Sequence, residues 1–456
     1  MTIQPTRVQP LNDKEASGGR YVLYWMQQAQ REEYNHALEY AVRQANEMGL
    51  PVVVAFGLTD SFPEATLRHY RFLLEGLAGT AAALDERGIR LVVRHGSPPE
   101  VALALADEAA LLVTDRGYLR LQKEWRGQVA RSAKCRVVQV ETDVVVPVDV
   151  VSEKEEYAAR TIRPKLNRHL DDYLEPLRRT PVENESSGLD FDGLDPDEID
   201  RVLVGLDIDR SVGPSPVFRG GTREAKRRLK AFNADKLTNY GTQSSDPAAD
   251  CVSHMSPYLH FGQVSPLYIA LRVLRADCRA LESRDAYLEQ LIVRRELSMN
   301  FVEFNPDYDR YDAVPDWARE TLAEHAADER DYVYSADELE RAETHDRYWN
   351  AAQREMTLTG KMHNYMRMYW GKKIIEWTAT PEEAFRIVLA LNNKYELDGR
   401  DANGFTGVAW CFGKHDRAWA ERAIFGKVRY MSARGLERKF DIESYADRIE
   451  ARAARS

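Results

Sequence analysis

Strand signals crowd the first 150 residues of this chain and then stop, which constrains its fold more than any other feature. Five apolar runs, YVLYWM (21–26), PVVVAFGL (51–58), IRLVVRH (89–95), ALLVTD (110–115) and RVVQVE (136–141), alternate with segments such as NHALEYAVRQANEMG. Those segments space their apolar residues at helical period and end in glycine. Repeated β–α units of this length predict a parallel sheet wrapped by helices, with ligands at the carboxyl ends of the strands. No G-x-G-x-x-G follows the first strand, so an ordinary NAD site is excluded there. From about residue 222 helical patterns dominate. At 456 residues the chain exceeds one ordinary core, so two domains are expected.

Between the two regions the chain turns acidic and rich in Gly, Pro and Ser: residues 183–200 carry eight acids and no base. The expected organisation is a disordered N-terminus (1–19), an α/β domain (20–165), an acidic interdomain linker (166–221) and an all-helical domain (222–456). No apolar run reaches the ~18 residues needed to span a bilayer, and the start lacks a signal-peptide core. The four cysteines, Cys135, Cys251, Cys278 and Cys411, form no C-x-x-C pair. A reduced, cytoplasmic, monomeric protein without membrane or metal is the expectation.

The formal net charge of −10 argues against nucleic acid, but its distribution does not. Residues 222–240 carry six bases against two acids, and 414–439 carry eight against three. Such segments can form a footprint for phosphates, or simply solvated helix faces. H-E-x-x-H, G-x-x-x-x-G-K-[ST] and G-x-S-x-G are all absent, which excludes the metalloprotease, P-loop and α/β-hydrolase signatures.

Three features carry positive information. Six of the eight tryptophans fall in the last 140 residues, and Trp370 and Trp377, seven apart, share a helix face about 10 Å apart along its axis. Indoles so spaced can relay an electron, although a helical domain also buries tryptophan for area. VSHMSPYLHFGQVSP (252–266) offers Ser253, Ser256 and backbone amides as anion donors. In GKMHNYMRMYWGKKIIEW (360–377), Asn364, Arg367, Met368 and Gly371 form one stripe, and Asp398 of YELDGRDANGF is placed to pair with Arg367. That mixture suits the holding of an aromatic redox cofactor better than hydrolysis.

Taken together, REEYNHAL, EYAARTIRPKL, SPYLHFGQVS, HDRYWNAAQ, GKMHNYMRMYWGKKIIEW, LNNKYELDGRDANG, HDRAWAER and GKVRYMSARGLERKFD resemble the class II cyclobutane pyrimidine dimer photolyases, from about residue 20 to 447. The resemblance implies an N-terminal α/β domain, a helical domain holding FAD, and UV-damaged DNA as partner. A second, antenna chromophore (deazaflavin or folate) is left open.

Position by position, the resemblance puts Tyr240, Ser253, Met255 and Ser256 on the FAD ribose and phosphates. Asn364, Arg367 and Asp398 fall around the flavin edge, with Asn392 near its N5. Trp370, Trp349 and Trp377 form the photoreduction chain, in that order from flavin to surface. Met368 and Trp410 line the lesion pocket, and the basic stretch with Lys427 and Arg429 lies along DNA phosphates. The implied activity is light-dependent repair, by electron transfer from photoexcited reduced FAD to a dimer flipped out of the duplex, as photolyases are known to flip their target.

Two positions depart from the family pattern. Gln290 stands where relatives carry an acid; it can hydrogen-bond but supplies no proton, and Glu289 points about 100° away on a helix. Ser244 stands where relatives place an arginine. The departures leave a second reading open, a cryptochrome-type blue-light flavoprotein with weak or altered repair.

Overall fold

A computed structural model describes residues 3–16 and 18–455. Its N-terminal layer is a six-stranded sheet of order β1-β6-β5-β2-β3-β4: β1 (Val8–Pro10), β2 (Tyr21–Trp25), β3 (Val52–Leu58), β4 (Arg90–His95), β5 (Ala109–Asp115) and β6 (Arg136–Val140). Every neighbouring pair is parallel except β1 with β6. The five expected strands are all present. Every residue of β2, β3 and β5 is buried, which is why they read as continuous apolar runs: helices cover both faces. The helix His36–Met48 shows the local logic, starting where the Asn35 side chain accepts Leu38 N–H and ending at Gly49 in the left-handed region.

Two expectations need correction. Disorder over 1–19 does not hold for its described part (residues 1, 2 and 17 lie outside the described residues). Pro5–Arg7 is a 3₁₀ turn leading into β1, and the buried Arg7 guanidinium donates to the carbonyls of Glu141 (3.1 Å), Val144 (3.3 Å) and Val145 (2.5 Å). A three-residue edge strand carries too little pattern to be read.

The acidic segment is also not a bare crossing. Leu194 N–H donates to Val93 O of edge strand β4 at 2.7 Å, Ser186 Oγ donates to Val52 O at 2.5 Å, and Val202, Leu203 and Leu206 join the core of the sheet. Its charges face water while a few apolar residues cover the sheet edge, a natural protection against edge pairing.

Beyond residue 221 the described residues form helices and no strands of the sheet. They dock over the carboxyl ends of the strands. Asp143, just past β6, receives Arg31 (3.3 Å) from the sheet layer and Arg295 (2.8 Å) from the helical part, all buried. The Glu296 carboxylate accepts the backbone N–H groups of Val145 and Val146, and Arg68 donates to the carbonyls of Met356, Thr357 and Tyr395.

Gly262 sits at the tightest crossing, with φ +62°, and a Cβ there would lie 1.7 Å from Gln28 O. Replacing Gly262 by Ala therefore demands both a strained backbone and retreat of the β2 loop. A loss of at least about 3 kcal/mol in denaturant unfolding is expected; a loss below about 1 kcal/mol would show that this crossing gives way freely.

Candidate functional site

Helices of the C-terminal part enclose a cavity of about 850 Å³, within the range of cofactor sites. Of the residues expected there, Tyr240, Ser253, Met255, Ser256, Gln290, Asn364, Arg367, Met368, Asp398 and Trp410 all line it. Segments far apart in sequence meet here because the helix Asn364–Trp377 passes beneath the loop 396–401 and beside the turn before Ser256–His260.

Arg367 organises one wall. Its Nη2 lies 3.0 Å from Asp398 Oδ1 and 2.9 Å from Glu396 Oε2. Its Nε is a buried donor without a partner among the described residues. Lys361 Nζ bridges Ser256 Oγ (2.7 Å) and Asp398 Oδ2 (3.2 Å).

Burial disfavours the Asp398 carboxylate, but Arg367 and Lys361 outweigh it and hold the group well below the usual carboxylate range. Burial likewise opposes the charge on Arg367, and Asp398 and Glu396 more than offset it. Glu396, wholly buried, goes the other way: burial lifts it to about 7 despite Arg367. The cluster thus presents a fixed guanidinium with a spare donor beside a carboxyl poised near neutrality.

Glu396, Lys361, Glu355, His363 and Tyr287 were not anticipated from the sequence. Glu396 precedes a turn, Leu397–Asp398, closed by Gly399 N–H donating to Glu396 O at 3.0 Å, which brings both acids to one guanidinium. Tyr287 Oη lies 3.1 Å from Ser253 Oγ and edge-on to Tyr240, with centroids 5.2 Å apart.

Not every expected residue comes to the wall. Asn392 is buried behind it, donating to Asn393 Oδ1 at 3.2 Å, and does not line the cavity. Ser244 is half-buried at the end of the turn Tyr240–Gln243, also off the lining. Gln290 lies in a π-turn, Glu289–Arg294, and is exposed to the cavity. Such wide turns often mark functional positions. Glu289 turns away to Arg163 at 2.7 Å and so cannot stand in for Gln290.

The helix that carries Arg367 also carries part of an aromatic file that runs through the core. Trp370 stacks on Trp349 (6.4 Å between centroids, 12° between planes), and Trp349 meets Trp377 edge-on at 5.6 Å. Trp370 Nε1 donates to Gln353 and Trp349 Nε1 to Trp370 O, fixing both rings. Trp349 thus neighbours both Trp370 and Trp377, and all three are buried, Trp377 at 2% exposure, so the expected end at the surface is not found. At the cavity mouth Arg429 lies between Trp410 (5.9 Å) and Trp419 (5.1 Å), and Lys427 is exposed.

A second cavity of about 130 Å³ lies at the carboxyl ends of β2 and β3, as predicted for such a sheet. Around it Trp25 Nε1, both polar atoms of Gln27, Gln30 Oε1 and Tyr70 Oη are buried without partners among the described residues. Arg400 and Asp401 line it too, and Asp401 also lines the larger cavity. Among the described residues no group of side chains could hold a metal ion, and no helix is long and apolar enough to cross a membrane.

An α/β layer capped by a helical bundle with a deep cavity is the architecture of photolyases and cryptochromes. Among solved structures the fold is similar to a bacterial class III photolyase from Agrobacterium tumefaciens (TM-score 0.74, 19% identity, 95% of this chain and 87% of that one). It is also similar to an archaeal photolyase from Sulfolobus tokodaii solved with two FAD molecules (TM-score 0.70, 15% identity, 94% and 89%).

By sequence, the profile of the family described as DNA photolyase matches residues 22–183. A deoxyribodipyrimidine photo-lyase of Methanothermobacter thermautotrophicus is 53% identical, covering 98% of each chain; one of Arabidopsis thaliana is 39% identical, covering 99% of this chain and 94% of that one. The chain belongs to the DNA photolyase family.

Burial lifts the folded Glu396 carboxyl from its ordinary 4.5 to about 7, so the stability it contributes is full below about pH 4.5 and is lost as pH rises through about 7. Glu396→Gln should gain on the wild type across that window, by up to about 3 kcal/mol at ~1.4 kcal/mol per unit. Urea unfolding at several pH values reads this difference; one that stays flat from pH 4 to 8 would show that Glu396 titrates in the fold as it does in the unfolded chain.

Proposed function

We propose that this chain is a class II enzyme that repairs cyclobutane pyrimidine dimers in DNA under light, with FAD held in the large cavity. The observation that carries the proposal is Arg367, which offers an unpartnered buried donor to the cavity while the indole file starts three residues along the same helix. A flavin is an aromatic acceptor-rich ring that such a donor suits, and the serines with Lys361 offer hydrogen bonds to phosphates at the other end. When bound, reduced FAD supplies, on absorbing light, the electron that opens the dimer.

The chain's own residues do the rest. Tyr240, Ser253, Met255 and Ser256, with Lys361, hold the ribose and phosphates. Asn364, Arg367 and Asp398 fix the ring edge and favour negative charge there. Met368 and Trp410 form an apolar seat for the flipped lesion. Arg429 and Lys427 bind the damaged strand's phosphates. The smaller cavity suits an antenna chromophore with several polar edges, since five or more polar atoms face it unpaired.

Gln290 favours a second reading. It stands at the lesion end with no carboxyl beside it, which fits slower repair, a shifted lesion preference, or light sensing. Incubation of dimer-containing DNA with FAD-loaded protein, lit or dark, separates these. Loss of dimers only in the light is expected, and lit samples that keep their dimers would leave the sensor reading. Gln290→Glu should raise the repair yield per photon with flavin content unchanged; an unchanged or lower yield removes Gln290 from the lesion contact. Trp370→Phe should block photoreduction of oxidised protein yet spare repair by chemically reduced protein, and normal photoreduction there would reroute the electron path.

A further inference from the structure

The indole file ends in the interior, yet an electron vacancy carried along it must finally meet solvent or it returns. Three residues continue from Trp377 to the surface. Tyr334 N–H donates to Trp377 O at 3.1 Å, and the two rings lie edge-on with centroids 5.4 Å apart. His345 lies 5.3 Å from the Trp377 ring. Tyr332, 47% exposed, stacks on His345 at 3.7 Å and 18°.

The chemistry turns on one hydrogen bond. Tyr334 Oη lies 2.7 Å from His345 Nδ1, and the same oxygen accepts the His345 backbone N–H at 3.0 Å. In the His345 tautomer that carries its proton on Nε2, Nδ1 is the acceptor and the phenol O–H donates to it, while the backbone N–H occupies a lone pair of the same oxygen. A phenol that loses an electron becomes a strong acid. It is therefore a usable donor where a base already holds its proton, and a poor one elsewhere.

Lys373 adds direction: its Nζ lies 5.6 Å from the Trp377 ring. A cation there disfavours a radical cation on the indole, less so because Glu376 pairs with it at 2.7 Å. A neutral phenoxyl radical carries no such penalty.

We propose that Tyr334 is the terminal electron donor of the file and that His345 is its proton acceptor. When an electron has been drawn along Trp370 and Trp349 and the vacancy rests on Trp377, Tyr334 gives one electron to that ring. Its O–H bond breaks as an N–H bond forms at His345 Nδ1. Neutral Trp377, a neutral tyrosyl radical and a His345 imidazolium result, so charge and atoms balance. The imidazolium is exposed to water, and Tyr332 shields one face of it. Separation of proton from electron slows the return. The inference rests on the reading that the large cavity holds a light-absorbing electron acceptor.

The test is flash excitation of the FAD-loaded, oxidised protein, with radicals followed by transient absorption and electron paramagnetic resonance. Wild type should show a tryptophan radical replaced by a long-lived tyrosyl radical. Tyr334→Phe should lose the tyrosyl signal and return its tryptophan radical faster. His345→Gln, which keeps a hydrogen bond to the phenol but takes no proton, should lose it too, with unfolding temperature unchanged. Tyr332→Phe should keep it. A tyrosyl radical that persists in Tyr334→Phe or His345→Gln overturns the proposal, as does a tryptophan radical in Tyr334→Phe that decays as in the wild type. Absence of any protein radical in the wild type overturns the cofactor reading beneath it, and is told apart by the missing tryptophan signal.

Discussion

A single carboxylate, Asp143, decides whether the two halves of this protein form one site. It lies just past the sheet's last strand and holds a guanidinium from each half, Arg31 and Arg295, at 3.3 and 2.8 Å with all three buried. Burial raises its affinity for a proton above the ordinary carboxylate range, and Arg295 and Arg31 offset this only in part. A buried cluster of this kind adds little net stability over an apolar core, but leaving either partner alone is costly, commonly several kcal/mol. Its use is therefore register. Arg295 opens the helix that directly follows the π-turn carrying Gln290, so the grip on Arg295 sets where that turn meets the cavity.

The loop 396–401 then places two cavities back to back. Asp398 and Glu396 face the larger one through Arg367, while Arg400 faces the smaller and Asp401 lines both. Arg400 adopts φ +59° and donates to Asn393 O, with Nη1 2.9 Å from His69 Nε2. A non-glycine residue held in that region is strained, and the surrounding hydrogen bonds keep it there. The loop 396–401 is thus a wall shared by the two cavities, with Asp401 facing both.

What the sequence discloses follows from what each feature depends on. Strands buried on both faces advertise themselves, because every position must be apolar; β2, β3 and β5 were legible for that reason. The stripe Asn364, Arg367, Met368 was legible because helical spacing fixes which side chains share a face. Edge strand β1 was not, since three residues carry no period and its order comes from Arg7 reaching carbonyls more than 130 positions away. The packed part of the acidic segment was hidden by its own charge, which dominates composition while Val202, Leu203 and Leu206 do the docking. Asn392 shows the limit of resemblance: its position in a motif carried no information about whether its side chain reaches the wall.

The tryptophan file shows why burial has to be weighed apart from order. Spacing of seven placed Trp370 and Trp377 on one face, while the place of Trp349 beside both came only from the resemblance and from packing. Depth could not be read, because an indole seven residues on is as able to face the core as the solvent. Trp377 faces the core, and the polar atoms that a charge would need lie one layer out, on the segment 332–345. That segment is exposed and carries aromatic residues at 332 and 334, two apart on extended chain, with His345 returning beside them. Residues two apart on extended chain point to one side, and these two rings lie parallel with centroids 6.3 Å apart. Here a single histidine meets both, stacking on one and bonded to the oxygen of the other, which is an arrangement for a proton rather than for packing.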